Sequence, residues 1–65
     1  MDKRVEIYTD GACKGNPGPG GWGWVVPHGP SGSGGAAQTT NQRMELEAVL
    51  RAVQSLEGPL RIHSD

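Results

Sequence analysis

What most constrains this chain is a change of hydrophobic period part-way along it. From Arg4 to Asp10, Val5, Ile7 and Thr9 alternate with Glu6, Tyr8 and Asp10, the two-residue period of a strand. From Asn41 to Glu57 the apolar residues Leu46, Val49, Leu50, Val53 and Leu56 fall on a single helical stripe. Alternation returns from Leu60 to Asp65, with Leu60, Ile62 and Ser64 set against Arg61, His63 and Asp65. Between the first strand and the helix, Gly11 to Gly20 is dense in turn-forming residues. A second strand follows from about Gly21 to Val26, with Trp22, Trp24 and Val26 on one face. Pro27 to Gly32 reads as a reversal, and Ser33 to Thr39 as a weak returning strand.

Thr40 or Asn41 suits the helix N-cap, and Gly58-Pro59 is a stop signal. Glu47 and Arg51 stand at i,i+4 on what the stripe predicts to be the solvated side, with Arg43 and Gln54. The order strand, strand, strand, helix, strand predicts an α/β fold. Its first three strands are antiparallel through short turns, and a helical crossover makes the last parallel to the first. One face of that sheet carries the helix, and nothing in the sequence is left to cover the other.

Composition sets limits on this picture. Sixty-five residues suffice for one small domain, and with 34% hydrophobic residues and no Phe its core is thin. Of the 11 Gly and 5 Pro, all but Gly58 and Pro59 crowd between Gly11 and Gly35 without a period, which points to turns. A single cysteine, Cys13, rules out an internal disulfide and a cysteine-rich zinc site, and suits a reducing cytoplasm. No apolar block marks a signal peptide and no stretch approaches a membrane span, so a soluble protein without a membrane partner is expected. The net charge of -1 is not the basic footprint of a nucleic-acid binder. Such binding requires basic surface outside these residues, or recognition by hydrogen bonds and metal ions.

The two parallel strands end alike, Ile7-Tyr8-Thr9-Asp10 and Ile62-His63-Ser64-Asp65. As neighbours they lie roughly 5 Å apart and present both terminal carboxylates at one edge, where open α/β sheets place their sites. Asp10 alone, before Gly11, is equally well a turn residue. Glu45, in the first helical turn, falls on the flank shared with Val49, Ala52 and Leu56, and is expected to be partly buried and to face the sheet edge. Its plainer role is to oppose the helix dipole. Three converging carboxylates without a basic partner repel one another, and a divalent cation resolves this. Oxygen-only ligands suit Mg²⁺ or Mn²⁺, the ions of two-metal phosphoryl chemistry.

Two blocks, Asp10-Gly11-Ala12-Cys13-Lys14-Gly15-Asn16-Pro17-Gly18-Pro19-Gly20-Gly21-Trp22-Gly23 and Thr39-Thr40-Asn41-Gln42-Arg43-Met44-Glu45-Leu46, closely resemble type I ribonuclease H, and Ser64-Asp65 sits where that family's third acidic residue belongs. The resemblance covers the whole chain and implies the N-terminal part, residues 1–65, of a single ribonuclease H domain, ending before the fifth strand and later helices of the ribonuclease H-like mixed sheet. It implies an endonuclease for the RNA strand of RNA–DNA hybrids, working by metal-activated water and leaving 5′-phosphate and 3′-hydroxyl ends. Asp10, Glu45 and Asp65 would be catalytic, and with Gly11 would form the metal site. Cys13, Gly15, Asn16, Thr40, Asn41 and Gln42 would bind substrate, with Thr40 near a DNA phosphate and the others reading the RNA 2′-hydroxyl side. Asn and Gln offer both donors and acceptors, as minor-groove edges and sugars require. Asn16 and Asn41 also suit a turn and a cap. The family's fourth metal-binding Asp and its loop His lie C-terminal to the part seen here. The resemblance therefore implies that these residues alone bind metal weakly and cleave little or nothing, and that the full-length protein is a monomer.

Other signals are weaker. Gly18-Pro19-Gly20-Gly21-Trp22-Gly23 fits G-x-G-x-x-G but is followed by a strand, so it is no dinucleotide fingerprint. Same-face spacing makes Trp22 and Trp24 core residues before base-stacking ones. Cys13 lacks a paired base for nucleophilic work. His28 reads as a solvated turn residue, His63 as a sheet-face residue near the site, and Arg43 as either a phosphate contact or helix surface. Two other functions compete with the nuclease. One is a non-catalytic fragment or hybrid-binding module completed by a second chain or a missing C-terminal segment. The other is a nucleotide-binding domain of the actin-like ATPase class, in which the Thr40–Glu45 block has no role.

Overall fold

The computed structural model describes residues 4–64. Three strands, β1 (Val5–Cys13), β2 (Gly18–Val25) and β3 (Ser31–Thr39), precede one helix, α1 (Asn41–Ser55), and a last strand, β4 (Leu60–Ser64). They form one sheet in the order β3-β2-β1-β4. β1 pairs antiparallel with β2, β2 antiparallel with β3, and β4 parallel with β1, so the predicted mixed sheet and crossover are present.

Four boundaries differ from the sequence reading. β1 runs on through Gly11 and Ala12 to Cys13, and β2 begins at Gly18 rather than Gly21. Cys13 pairs with Gly20, and the Lys14 amide donates to the Pro19 carbonyl at 2.7 Å. The glycines and prolines expected to form a long loop thus supply strand backbone around a short turn. β3 is a full nine-residue strand from Ser31, because the reversal is confined to Pro27–Pro30, with Val26 N–H donating to the Pro30 carbonyl at 2.9 Å and His28 at φ 61°. α1 stops at Ser55, with Leu56 already extended, two residues before the predicted end.

The core lies between the sheet and α1. Ile7, Trp24 and Ala52 form its centre, with Val5, Trp22, Val26, Leu56, Leu60 and Ile62 packed around them. The tryptophans and Val26 thus share the face predicted for them.

The helix orientation does not follow the apolar stripe. Met44, Ala48 and Ala52 are buried, whereas Leu46, Leu50 and Val53 are 68%, 45% and 48% exposed. At about 100° per residue this is a rotation of more than a third of a turn from the predicted face. The cause is the sheet. A Cβ on Gly11 would stand 2.3 Å from the Met44 backbone carbon, so helix and strand backbones are nearly in contact there. Only methyl-sized side chains and the unbranched Met44 fit into so narrow a gap. Glu47 and Arg51, expected in solvent, are half-buried and exposed respectively, on the flank of α1 beside Trp22 of β2. They pair at 2.7 Å, and the Arg51 guanidinium lies 5.5 Å from the centroid of the Trp22 ring.

On the sheet face away from α1, Tyr8 and Val25 remain about half exposed. Among the described residues no helix is long and apolar enough to cross a membrane.

Candidate nucleic-acid and metal site

Asp10 lies within β1, opposite Gly23 of β2. It is not the last residue of its strand, as the sequence had suggested. It follows Thr9, which is paired with Ser64, the last described residue of β4. Asp65 lies outside the described residues.

Strand alternation divides the neighbourhood. Ile7 and Thr9 are buried toward α1, while Glu6, Tyr8 and Asp10 are exposed on the other face. There the Tyr8 and His63 rings stack at 4.7 Å, and His63 Nε2 lies 3.2 Å from Glu6 Oε1. Asp10 lines an open hollow with Tyr8, Val25, Ser31 and His63. His63 is thus a sheet-face residue beside Asp10, as expected.

Gly11 faces the helix instead. Its Cα lies so close to the start of α1 that an added Cβ would fall 2.3 Å from the carbonyl carbon of Met44, 2.4 Å from its oxygen and 2.6 Å from the Glu45 nitrogen. The Asp10-Gly11 segment and the backbone of Glu45, far apart in sequence, are therefore neighbours. Glu45 is exposed, not partly buried as its helical position had implied. The rotation of α1 that buries Met44, Ala48 and Ala52 leaves it at the solvent-facing rim. Among the described residues, no three His, Cys, Asp or Glu side chains gather closely enough to hold a metal ion.

The expected substrate-binding residues assemble around the start of the helix. Thr40 is the N-cap, its Oγ1 accepting the Arg43 amide at 3.2 Å. Asn41 is the first helical residue, and its amide donates to Asn16 Oδ1 at 3.3 Å, joining the β1–β2 turn to the helix. Sequence reasoning named both asparagines but missed this bond, which no spacing rule signals. Gly15, at φ 83°, supplies the left-handed conformation that the turn needs, and the Asn16–Pro17 peptide is cis. Cys13 Sγ lies 3.2 Å from the carbonyl oxygens of both Gly18 and Thr39, which ties the end of β1 to the residue before the cap. Gln42 is exposed in the first turn, and so is Arg43. His28 is an exposed turn residue, as expected.

The donor set can be tested for a hard cation. Asp10 and Glu45 offer oxygen only, and neither carboxylate has a hydrogen-bond or ion-pair partner among the described residues. Unpaired carboxylates beside close-packed backbone fit Mg²⁺ or Mn²⁺ and do not fit zinc.

The RNase H family model matches residues 2–65 of this chain. The chain belongs to the RNase H family. The ribonuclease H of Chlorobium phaeovibrioides is 55% identical over 65 residues, covering 95% of this chain and 44% of that protein. That of Dechloromonas aromatica is 52% identical over 69 residues, covering 98% and 47%. That of Anaplasma marginale is 59% identical over 63 residues, covering 91% and 41%. The chain thus spans less than half the length of these curated RNase H relatives. Among solved structures, LC11-RNase H1 in complex with an RNA/DNA hybrid superposes with a TM-score of 0.78 at 32% identity, over 91% of this chain and 52% of that one. The four-strand sheet and helix described above are accordingly a fragment of the RNase H fold, and the match runs through the Thr40–Glu45 block that an ATPase reading leaves without a role.

Proposed function

We propose that this chain supplies the N-terminal half of an endonuclease that hydrolyses the RNA strand of RNA–DNA hybrids. The observation that carries the reading is the contact of Gly11 with the Met44–Glu45 peptide, which makes neighbours of the Asp10 segment and the Glu45 backbone. The register of β4 supports it: Thr9 lies opposite Ser64, so β4 runs beside β1 up to the residue before Asp10.

In this reading Asp10, Glu45 and Asp65, with Gly11 beside them, hold Mg²⁺ or Mn²⁺. When bound, the ions supply the charge stabilisation and water activation of two-metal phosphodiester hydrolysis. The chain's own residues bind and orient the hybrid. Thr40 and Asn41, at the positive end of α1, meet a backbone phosphate. Asn16, Asn41 and Gln42, with the backbone around Cys13 and Gly15, donate to and accept from base edges and 2′-hydroxyls. The bond from the Asn41 amide to Asn16 holds the turn and the helix start as one unit, so this recognition surface is organised before substrate arrives.

The 65 residues alone bind metal weakly and are inactive or nearly so; completed by a C-terminal segment, the protein is a cytoplasmic monomer, and a second chain is the other way to complete it. The test is a Mg²⁺-dependent assay on labelled hybrid, RNA duplex and DNA duplex, run with the chain and with its longer source protein. The source protein should cut only the RNA of the hybrid and lose this on Asp10→Asn. Equal cutting of duplex DNA would refute the substrate. Cleavage by the purified 65-residue chain that disappears on Asp10→Asn would refute its inactivity.

A further inference from the structure

The sheet beneath the helix start is bare at two positions, Gly11 of β1 and Gly20 of β2, and they differ in what they touch. A Cβ on Gly20 would meet the Thr39 methyl at 2.7 Å, the Ala12 carbonyl oxygen at 2.8 Å and Met44 Cγ at 3.0 Å, two of them side-chain atoms. The three atoms nearest a Cβ on Gly11 would all be backbone, those of Met44 and Glu45. Side chains can turn away, but a helical backbone yields only by moving as a body. Raising the 2.3 Å approach to the 3.4 Å at which ordinary contact begins requires the start of α1 to retreat by about 1 Å.

We propose that Gly11 is a positioning residue. By lacking a side chain it sets how closely Glu45 approaches Asp10, and so whether the two carboxylates reach one ion. The inference rests on the metal reading above and goes beyond it, because it assigns the spacing of the ligands to a residue's missing atoms. The place suits the task. Gly11 lies directly after Asp10 on β1 and faces the helix, while Asp10 stands on the other face, so the helix start and Asp10 meet across one strand. Octahedral Mg²⁺ sites hold their oxygens at about 2.0–2.1 Å and tolerate little displacement, so a shift of about 1 Å is large for them.

The experiment uses this chain and Mn²⁺ as a paramagnetic probe, reading the broadening of backbone amide signals with thermal unfolding alongside. In the unaltered chain the amides of Gly11 and Glu45 should broaden together, at the same Mn²⁺ concentration. Gly11→Ala should weaken Mn²⁺ binding by about tenfold, the loss typical when a ligand's support is disturbed. Gly20→Ala, which crowds Met44's side chain and not the helix backbone, should lower the unfolding temperature yet leave Mn²⁺ affinity within about twofold. Glu45→Asp, which withdraws the carboxylate by one methylene without touching the contact, should reproduce the affinity loss even if Gly11→Ala does not fold. Unchanged affinity in a folded Gly11→Ala, or in Glu45→Asp, overturns the inference. Unchanged broadening in Asp10→Asn overturns the metal reading itself, which separates the two failures.

Discussion

The orientation of α1 makes opposite demands on two substitutions. If the leucine stripe faced the sheet, Leu46→Ala would remove a core side chain, at about 2–5 kcal/mol, and Ala48→Leu would add apolar surface to a solvated face at little cost. The structure reverses this. Leu46 is 68% exposed, so about a third of its burial is lost on truncation. Taking about 1.5–3 kcal/mol for full burial of a leucine, the change costs about 0.5–1 kcal/mol, and alanine's better helix propensity recovers a little of it. Ala48 has 0% exposure on a helix whose backbone nearly touches β1, and three additional carbons there must push helix and sheet apart. Overpacking of this kind costs about 1–3 kcal/mol. For a domain of this size each kcal/mol moves the unfolding midpoint by about 4–8 °C. Thermal unfolding followed by far-UV circular dichroism should therefore place Ala48→Leu below Leu46→Ala by several degrees. The opposite ranking would mean that α1 presents its leucines to the sheet and that the argument from the Gly11 contact is wrong.

Two further outcomes test the packing and the cap. Gly34→Ala would bring a Cβ to 2.4 Å from the Trp22 ring, over which Arg51 also lies, so a loss of about 1–3 kcal/mol with a shift in tryptophan emission is expected, and an unchanged spectrum and stability would count against this placement of Trp22. Thr40→Ala removes the acceptor for the Arg43 amide and should cost about 1 kcal/mol in urea unfolding, with Thr40→Ser restoring most of it; equal losses in both variants would show that the hydroxyl does not cap the helix.

Much of the fold was legible in the chain because it depends on local chemistry. The alternation through Val5–Asp10 and Leu60–Asp65, the reversal near Pro27 and the cap at Thr40 are properties of a few adjacent residues, and the handedness of crossovers then leaves one natural topology. The candidate site residues were legible for another reason: Asp10, the Asn16 turn and the Thr40–Glu45 block carry the family's motifs, so their identity needed no coordinates. The glycine-rich stretch after Asp10 was misread as loop because glycine gives no periodic signal, yet its backbone is free to pair.

Tertiary structure alone decided which face of α1 is buried, where Glu45 stands, and that Asn41 is tied to Asn16. A hydrophobic stripe records which residues favour burial somewhere, but not how near two backbones come. Here a bare Cα at Gly11 brings helix and strand almost into contact, and at that distance side-chain volume outranks hydrophobicity, so alanines go under and leucines stay out.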